Sequence, residues 1–181
     1  DLFNGAKQGI AVGGTSGKST VTGMIGWIFH ALDRDPTVMN GAVMKNFQTP
    51  DALFASSLVG TSGIFVSEVD ESDGSIAAYN PRVAVLMNIA LDHKSMDELR
   101  RLFSDFVSKA EIAILNLDEA GEIGAAAART AVPGLVVRLL RVADGRPVAA
   151  DPVCQPFEKG GQLRVGDEHS YANDRRIGVV S

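Results

Sequence analysis

Ile10-Ala-Val-Gly-Gly-Thr-Ser-Gly-Lys-Ser-Thr20, the stretch IAVGGTSGKST, decides the fold. Ile10 to Val12 is apolar and short, as a buried strand is, and from Val21 onward apolar residues recur at helical spacing. A strand, a glycine-rich turn and a helix opening in Gly-Lys-Ser form the setting of a phosphate-binding loop. Glycine lets the backbone turn tightly enough for its N–H groups to face phosphate oxygens, and the helix adds its positive N-terminal end. Gly14, Thr15, Ser16, Gly17, Lys18, Ser19 and Thr20 are therefore the expected nucleotide cradle. Lys18 is expected to reach the outer phosphates, and the Ser19 hydroxyl to complete a magnesium shell. The full G-x-x-x-x-G-K-[ST] pattern asks for glycine where this chain has Val12. The plainer alternative, a glycine-rich turn beside a surface lysine, leaves the strand and the helix on either side unexplained.

The rest of the chain sets bounds. Its 181 residues suit one domain with a real core, and 45% apolar with 22% charged residues is an ordinary globular composition. Seventeen Lys and Arg against 22 Asp and Glu leave a net charge of −5, so no nucleic acid is expected as a partner. The lone Cys154 excludes an internal disulfide and fits a reducing compartment. It lies in a proline-flanked polar stretch and reads as an inert thiol. No apolar run approaches the ~18 residues of a membrane span, and the first residues show no charged-then-apolar signal pattern. A cytoplasmic location without membrane contact is the expectation.

Along the chain, Val21, Met24, Ile25, Ile28, Phe29 and Leu32 repeat at i, i+3, i+4 spacing, which predicts a core-facing helix from Lys18 to about Leu32. Trp27 and His30 fall off that stripe. Thr37 to Met39 begins a second strand. Asn40 to Gly63 is rich in glycine, serine and asparagine, with a short helical piece expected around Asp51 to Leu58. Gly63 to Val69, Arg82 to Ile89, Ala110 to Leu117 and Leu135 to Val142 read as buried strands. Met96, Leu99, Leu102, Phe103, Phe106 and Val107 predict a helix between the second and third of these, and Asp118 to Arg129 another. Strand and helix in alternation mean an α/β fold, a mostly parallel sheet flanked by helices. From Ala143 onward turn dipeptides crowd together, and a hairpin is expected across Gln162 to Tyr171. The domain reading is therefore 1–142 for the main α/β unit and 143–181 for a small strand- and loop-rich part of it. His169 reads as a surface residue.

Parallel sheets bind ligands at the carboxyl ends of their strands, and the polar residues collect there. One strand ends in Glu68, followed by Asp70, Glu71 and Asp73; another ends in Asn88, followed by Asp92 and His93. Glu68 comes first off its strand and is the expected carboxylate facing the Ser19-bound metal. Asp70, Glu71 and Asp73 read as solvated turn or capping acids. His93 is open between a turn-capping structural role and a metal or phosphate contact.

IAVGGTSGKST, then EVDESD, then NIALDH, in that order, resemble the central ATP-binding domain of the Mur ligases, most nearly the alanine-adding and murein-tripeptide-recycling branch. That family also uses a shortened loop, which accommodates Val12. The resemblance runs from about Ile10 to Leu117. It implies ATP-dependent amide formation: a carboxylate attacks the γ-phosphate, and an amine displaces phosphate from the acyl phosphate. It further implies catalytic roles for Lys18 and His93, a first magnesium on Ser19 and Glu68, a second at His93, and a supporting contact from Asn88. The carbamylated lysine of several members has no match in MDELRRLFSDF, nor is the adenine-contacting His-Asn motif present. The resemblance takes in only the middle of a full-length Mur ligase, so the chain reads as an excised domain or a divergent relative. In the whole protein the implied partners are a UDP-muramyl-type substrate and an amino acid or peptide. Alternatives are a folylpolyglutamate-synthase-like or cyanophycin-type ligase, and, in another class, a nucleotide-binding module without catalysis. An unrelated P-loop kinase or switch protein lacks a visible acceptor site.

Overall fold

A computed structural model of the chain describes residues 2–91, 94–116, 136–143 and 146–149. The apolar run before the glycine turn forms the central strand β1 (Gln8–Gly13), with Ala11 and Val12 fully buried. The other strands are β2 (Thr37–Met39), β3 (Ser57–Leu58), β4 (Ile64–Glu68), β5 (Val83–Leu86), β6 (Ile112–Asn116), β7 (Val136–Ala143) and β8 (Arg146–Ala149). They make one sheet in the order β3-β2-β4-β1-β5-β6-β7-β8. The six inner strands are parallel, and β3 and β8 pair antiparallel at the two edges. The expected α/β class and mostly parallel sheet are what the chain adopts.

Side chains of a strand alternate between faces, so β1 feeds two cores. Ile10 and Val12 join Val38, Val66, Val85 and Met44 beneath helix α1 (Lys18–Ala31). Ala11 joins Val69, Leu86, Leu99, Phe103, Phe106 and Leu115 beneath α2 (Met96–Ser108). The path from β1 through α1 runs toward one sheet edge, and the path from β5 through α2 toward the other. Right-handed crossovers in opposite directions put their helices on opposite faces. The strand order therefore switches between β1 and β5, and the crevice outside their carboxyl ends is where such a sheet holds a ligand.

α2 follows its sequence pattern: Leu99, Phe103, Phe106 and Val107 are buried and Met96 and Leu102 half-buried. Its start is a reciprocal cap, in which Ser95 Oγ accepts from Glu98 N at 3.3 Å and Glu98 Oε2 accepts from Ser95 N at 3.1 Å. α1 departs from its expected stripe. Thr22 and Gly26 are the buried pair, Val21, Ile25 and Phe29 flank them, and Met24, Ile28 and Leu32 are exposed. The cause is Gly26, where a Cβ would lie 2.7 Å from Val38 Cγ2. The helix approaches the sheet most closely at its smallest residue, and Met24 and Ile28, two positions either side at ~100° per residue, are rotated to the far side. Trp27 and His30 lie off the packing face as expected, each with its ring against Phe47 at 5.6 and 5.3 Å.

The short helix expected at Asp51 to Leu58 is absent, and the 3-10 turn lies earlier, at Lys45–Phe47. Backbone groups of this stretch are drawn to the β2 side instead. Asn40 N donates to Ser56 O at 2.9 Å, Met44 N to Ala55 O at 2.8 Å, and Ser57–Leu58 adds the edge strand β3. The expected helix at Asp118 to Arg129, the hairpin at Gln162 to Tyr171, Cys154, His169, Asp92 and His93 lie outside the described residues.

Candidate functional site: a glycine loop clamped between two strand ends

The loop leaving β1 needs two backbone shapes that L side chains rarely adopt: φ is +134° at Gly14 and +79° at Gly17. At Gly14 the space is closed as well, since a Cβ would sit 3.1 Å from both Asn88 N and Asn88 O. Asn88, just beyond β5, holds this loop from the neighbouring strand. Its Oδ1 accepts from Thr15 Oγ1 and from Ser16 N, both at 2.9 Å, and its Nδ2 donates to Ser16 O at 3.1 Å and Ser16 Oγ at 2.9 Å. Thr15 Oγ1 in turn accepts from Ala90 N at 2.9 Å, and Thr15 N donates to Asn88 O at 3.3 Å. These bonds tie the loop to the end of β5.

Gly17 ends the loop and begins α1 with no side-chain cap and no acidic residue in the first turn. The opening amides of a helix have no intrahelical acceptor, and among the described residues no side chain caps these. Among the described residues a Cβ at Gly17 would meet nothing within 4 Å.

Lys18, the first residue of α1, turns to the loop after β4. Its Nζ lies 2.9 Å from Glu71 Oε2, and the two side chains are only 13% and 6% exposed. This corrects the reading of Glu71 as a solvated acid. Nothing in the local pattern marks it: Glu71 lies in the bend beyond β4, where strand alternation no longer holds, and its burial comes from what packs around it. Asp70 and Asp73 do behave as turn acids. Asp70 accepts from Ser72 N and Asp73 from Ser75 N, each at 2.8 Å, and these backbone hydrogen bonds lower both carboxyls below the usual range.

Glu68 closes β4 beside Val12 of β1, and its Oε2 accepts from Gly41 N at 2.8 Å. The preceding residue, Asn40, donates from Nδ2 to Ser19 O at 3.0 Å. Two adjacent residues of the loop after β2 therefore tie the Ser19 turn and the Glu68 carboxylate into one neighbourhood. A hydroxyl and a carboxylate are hard oxygen donors of the kind magnesium takes alongside phosphate oxygens and water. Among the described residues no group of three or more His, Cys, Asp and Glu side chains could enclose a metal. Beside Ser19 and Thr20 opens a cavity of about 300 Å³, floored by Trp27, Met44 and Phe47 and rimmed by Asn40 and Lys45. The structure thus gathers Gly14 to Thr20, Asn88 and Glu68 at one rim; His93 lies outside the described residues.

Residues 12–138, more than half of the chain, match the profile of the Mur ligase middle domain. The chain belongs to the Mur ligase family. UDP-N-acetylmuramate–L-alanine ligase of Magnetococcus marinus is 39% identical over 107 residues, which are 57% of this chain and 21% of that protein. A murein peptide ligase of Psychrobacter arcticus has a TM-score of 0.56 and 28% identity over 71% of this chain and 31% of that one. FolC of E. coli, solved with DHPP and ADP, has a TM-score of 0.57 over 86% of this chain and 50% of that one; at 16% identity the likeness is of fold. This Mur ligase domain spans about a fifth of the curated relative's length. No described helix of it is long and apolar enough to cross a membrane.

Proposed function

We propose that this Mur ligase domain is the ATP-binding part of an ATP-dependent carboxylate–amine ligase of peptidoglycan precursor synthesis or recycling, acting in the cytoplasm through an acyl phosphate. The observation that carries the reading is the uncapped, acid-free N-terminus of α1 behind a loop that Asn88 holds in shape. Loop amides from Gly14 to Thr20 and the Lys18 ammonium hold the β- and γ-phosphates and meet the charge that develops on phosphoryl transfer. The Ser19 hydroxyl and the Glu68 carboxylate hold magnesium, and His93 holds a second ion. Bound there, magnesium supplies neutralisation of phosphate charge. A carboxylate oxygen of a UDP-muramyl-type substrate bonds to the γ-phosphorus as the bond to ADP breaks. The amine of an amino acid or peptide then attacks the acyl carbon, phosphate leaves, and the amine loses a proton. Asn88 supports the loop throughout.

The test is a calorimetric titration of this chain with ATP and magnesium beside a Lys18→Ala copy, followed by a ligase assay of the longer protein with UDP-N-acetylmuramate and L-alanine. Magnesium-dependent binding that Lys18→Ala sharply weakens, with ADP and phosphate released in the assay, is the expected result. Absence of ATP binding by both the chain and the longer protein overturns the reading. Binding without ligation leaves the non-catalytic nucleotide module in its place.

A further inference from the structure

Glu68 ends β4 and Asp70, Glu71 and Asp73 come after it, and three of these four acids accept backbone hydrogen bonds elsewhere. Glu68 accepts from Gly41 N, Asp70 from Ser72 N and Asp73 from Ser75 N. Of the four only Glu71 hydrogen-bonds Lys18, at 2.9 Å, in surroundings that leave little water to either group, while Asp70 adds a longer-range attraction. A lysine on a flexible four-carbon stem has many rotamers, and an ammonium carries three N–H donors. One of the three is directed at Glu71 Oε2, which leaves two. We infer that Glu71 is a positioning residue: its carboxylate fixes where the Lys18 ammonium stands at the mouth of the loop, so that the two remaining N–H groups meet phosphate oxygens without a search. Glu71 is not a magnesium ligand in this account, and it stays with Lys18 when nucleotide binds.

The location supports this role. β4 lies next to β1 in the sheet, with Val12 in register with Glu68, so the loops leaving both strands emerge side by side. Val69 N donates to Val12 O at 3.0 Å and carries the pairing past the strand end, and Val69 itself is buried. The segment bearing Glu71 is therefore built onto the strand that carries the glycine loop. A burial of this kind for a carboxylate is unfavourable unless a cation meets it, and Lys18 is the cation that does.

The inference rests on the reading that this loop holds nucleotide, and a double-mutant cycle separates the two. ATP binding is measured by calorimetry, with and without magnesium, for wild type, Lys18→Ala, Glu71→Ala, the double variant and Glu71→Gln, with a thermal melt of each. Glu71→Ala is expected to weaken ATP about tenfold on the wild-type background and not at all on Lys18→Ala, because partners in one network are non-additive. Glu71→Gln keeps an acceptor at the same reach and is expected to restore most of the affinity in both conditions. Losses that multiply in the double variant, or Glu71→Ala binding as wild type does, overturn the inference and leave the nucleotide reading intact. A loss in Glu71→Gln that appears only with magnesium also overturns it, since it makes Glu71 a metal ligand. Should Glu71→Ala fail to fold, Glu71→Asp, one methylene shorter, carries the same cycle with the same expectations. Wild type that does not bind ATP, neither as this chain nor as the longer protein, removes both readings together.

Discussion

Replacing Asn88 by alanine removes four side-chain hydrogen bonds to the glycine loop at once, those to Thr15 Oγ1, Ser16 N, Ser16 O and Ser16 Oγ. Each net bond contributes about 0.5–1.5 kcal/mol. Those to Ser16 are exposed to solvent, which puts them at the lower end. The sum is then about 2 kcal/mol of loop order. If the bound loop must regain that order, ATP affinity falls roughly 30-fold. The loop is local and its bonds are partly solvated, so the melting temperature should move far less than the affinity. The assay pairs calorimetric titration of ATP with amide exchange at Thr15 and Ser16. The expected result is faster exchange at those two amides together with the loss of affinity. Binding within about twofold of wild type, with exchange unchanged, would refute the reasoning, because the four bonds would then contribute nothing to the loop.

Other outcomes follow from the packing and the caps. Gly26→Ala gains ~1 kcal/mol of helix propensity but drives a Cβ to 2.7 Å from Val38 Cγ2. Overpacking of about 1–3 kcal/mol should win, so the variant melts lower, and Val38→Ala in the same chain should recover part of the loss. Thr22 is fully buried and its Oγ1 has no hydrogen-bond partner among the described residues, so Thr22→Val should raise stability by ~1 kcal/mol in denaturant titration; a fall would mean that the hydroxyl is satisfied. The Ser95 side chain, and then its backbone N–H, hold the Glu98 carboxyl below its usual range. A carboxyl lowered by folding adds stability that is present above its unfolded value and is lost as the pH falls through the folded one. Glu98→Gln should therefore melt below wild type at pH 7 and level with it near pH ~2; a gap of equal size at both would show that the charge plays no part.

Local order along the chain settled much of this protein in advance. Ile10 to Val12, the glycines and Gly-Lys-Ser specify strand, turn and helix because each depends on neighbours in sequence: apolar run, permitted φ, uncapped helix start. The α2 stripe was legible for the same reason, since every buried residue on it faces one core at constant spacing. What needed the tertiary structure were the choices made between distant segments. Gly26 decided which face of α1 packs, because Val38 of another strand stands where a side chain would. Glu71 became a buried partner of Lys18 instead of a solvated acid because β4 and β1 lie side by side, a fact of strand order that no local pattern contains. Asn88 likewise clamps a loop more than seventy positions earlier, since β5 is the other neighbour of β1. Periodicity reports which residues can be buried; only the register of strands reports what they are buried against.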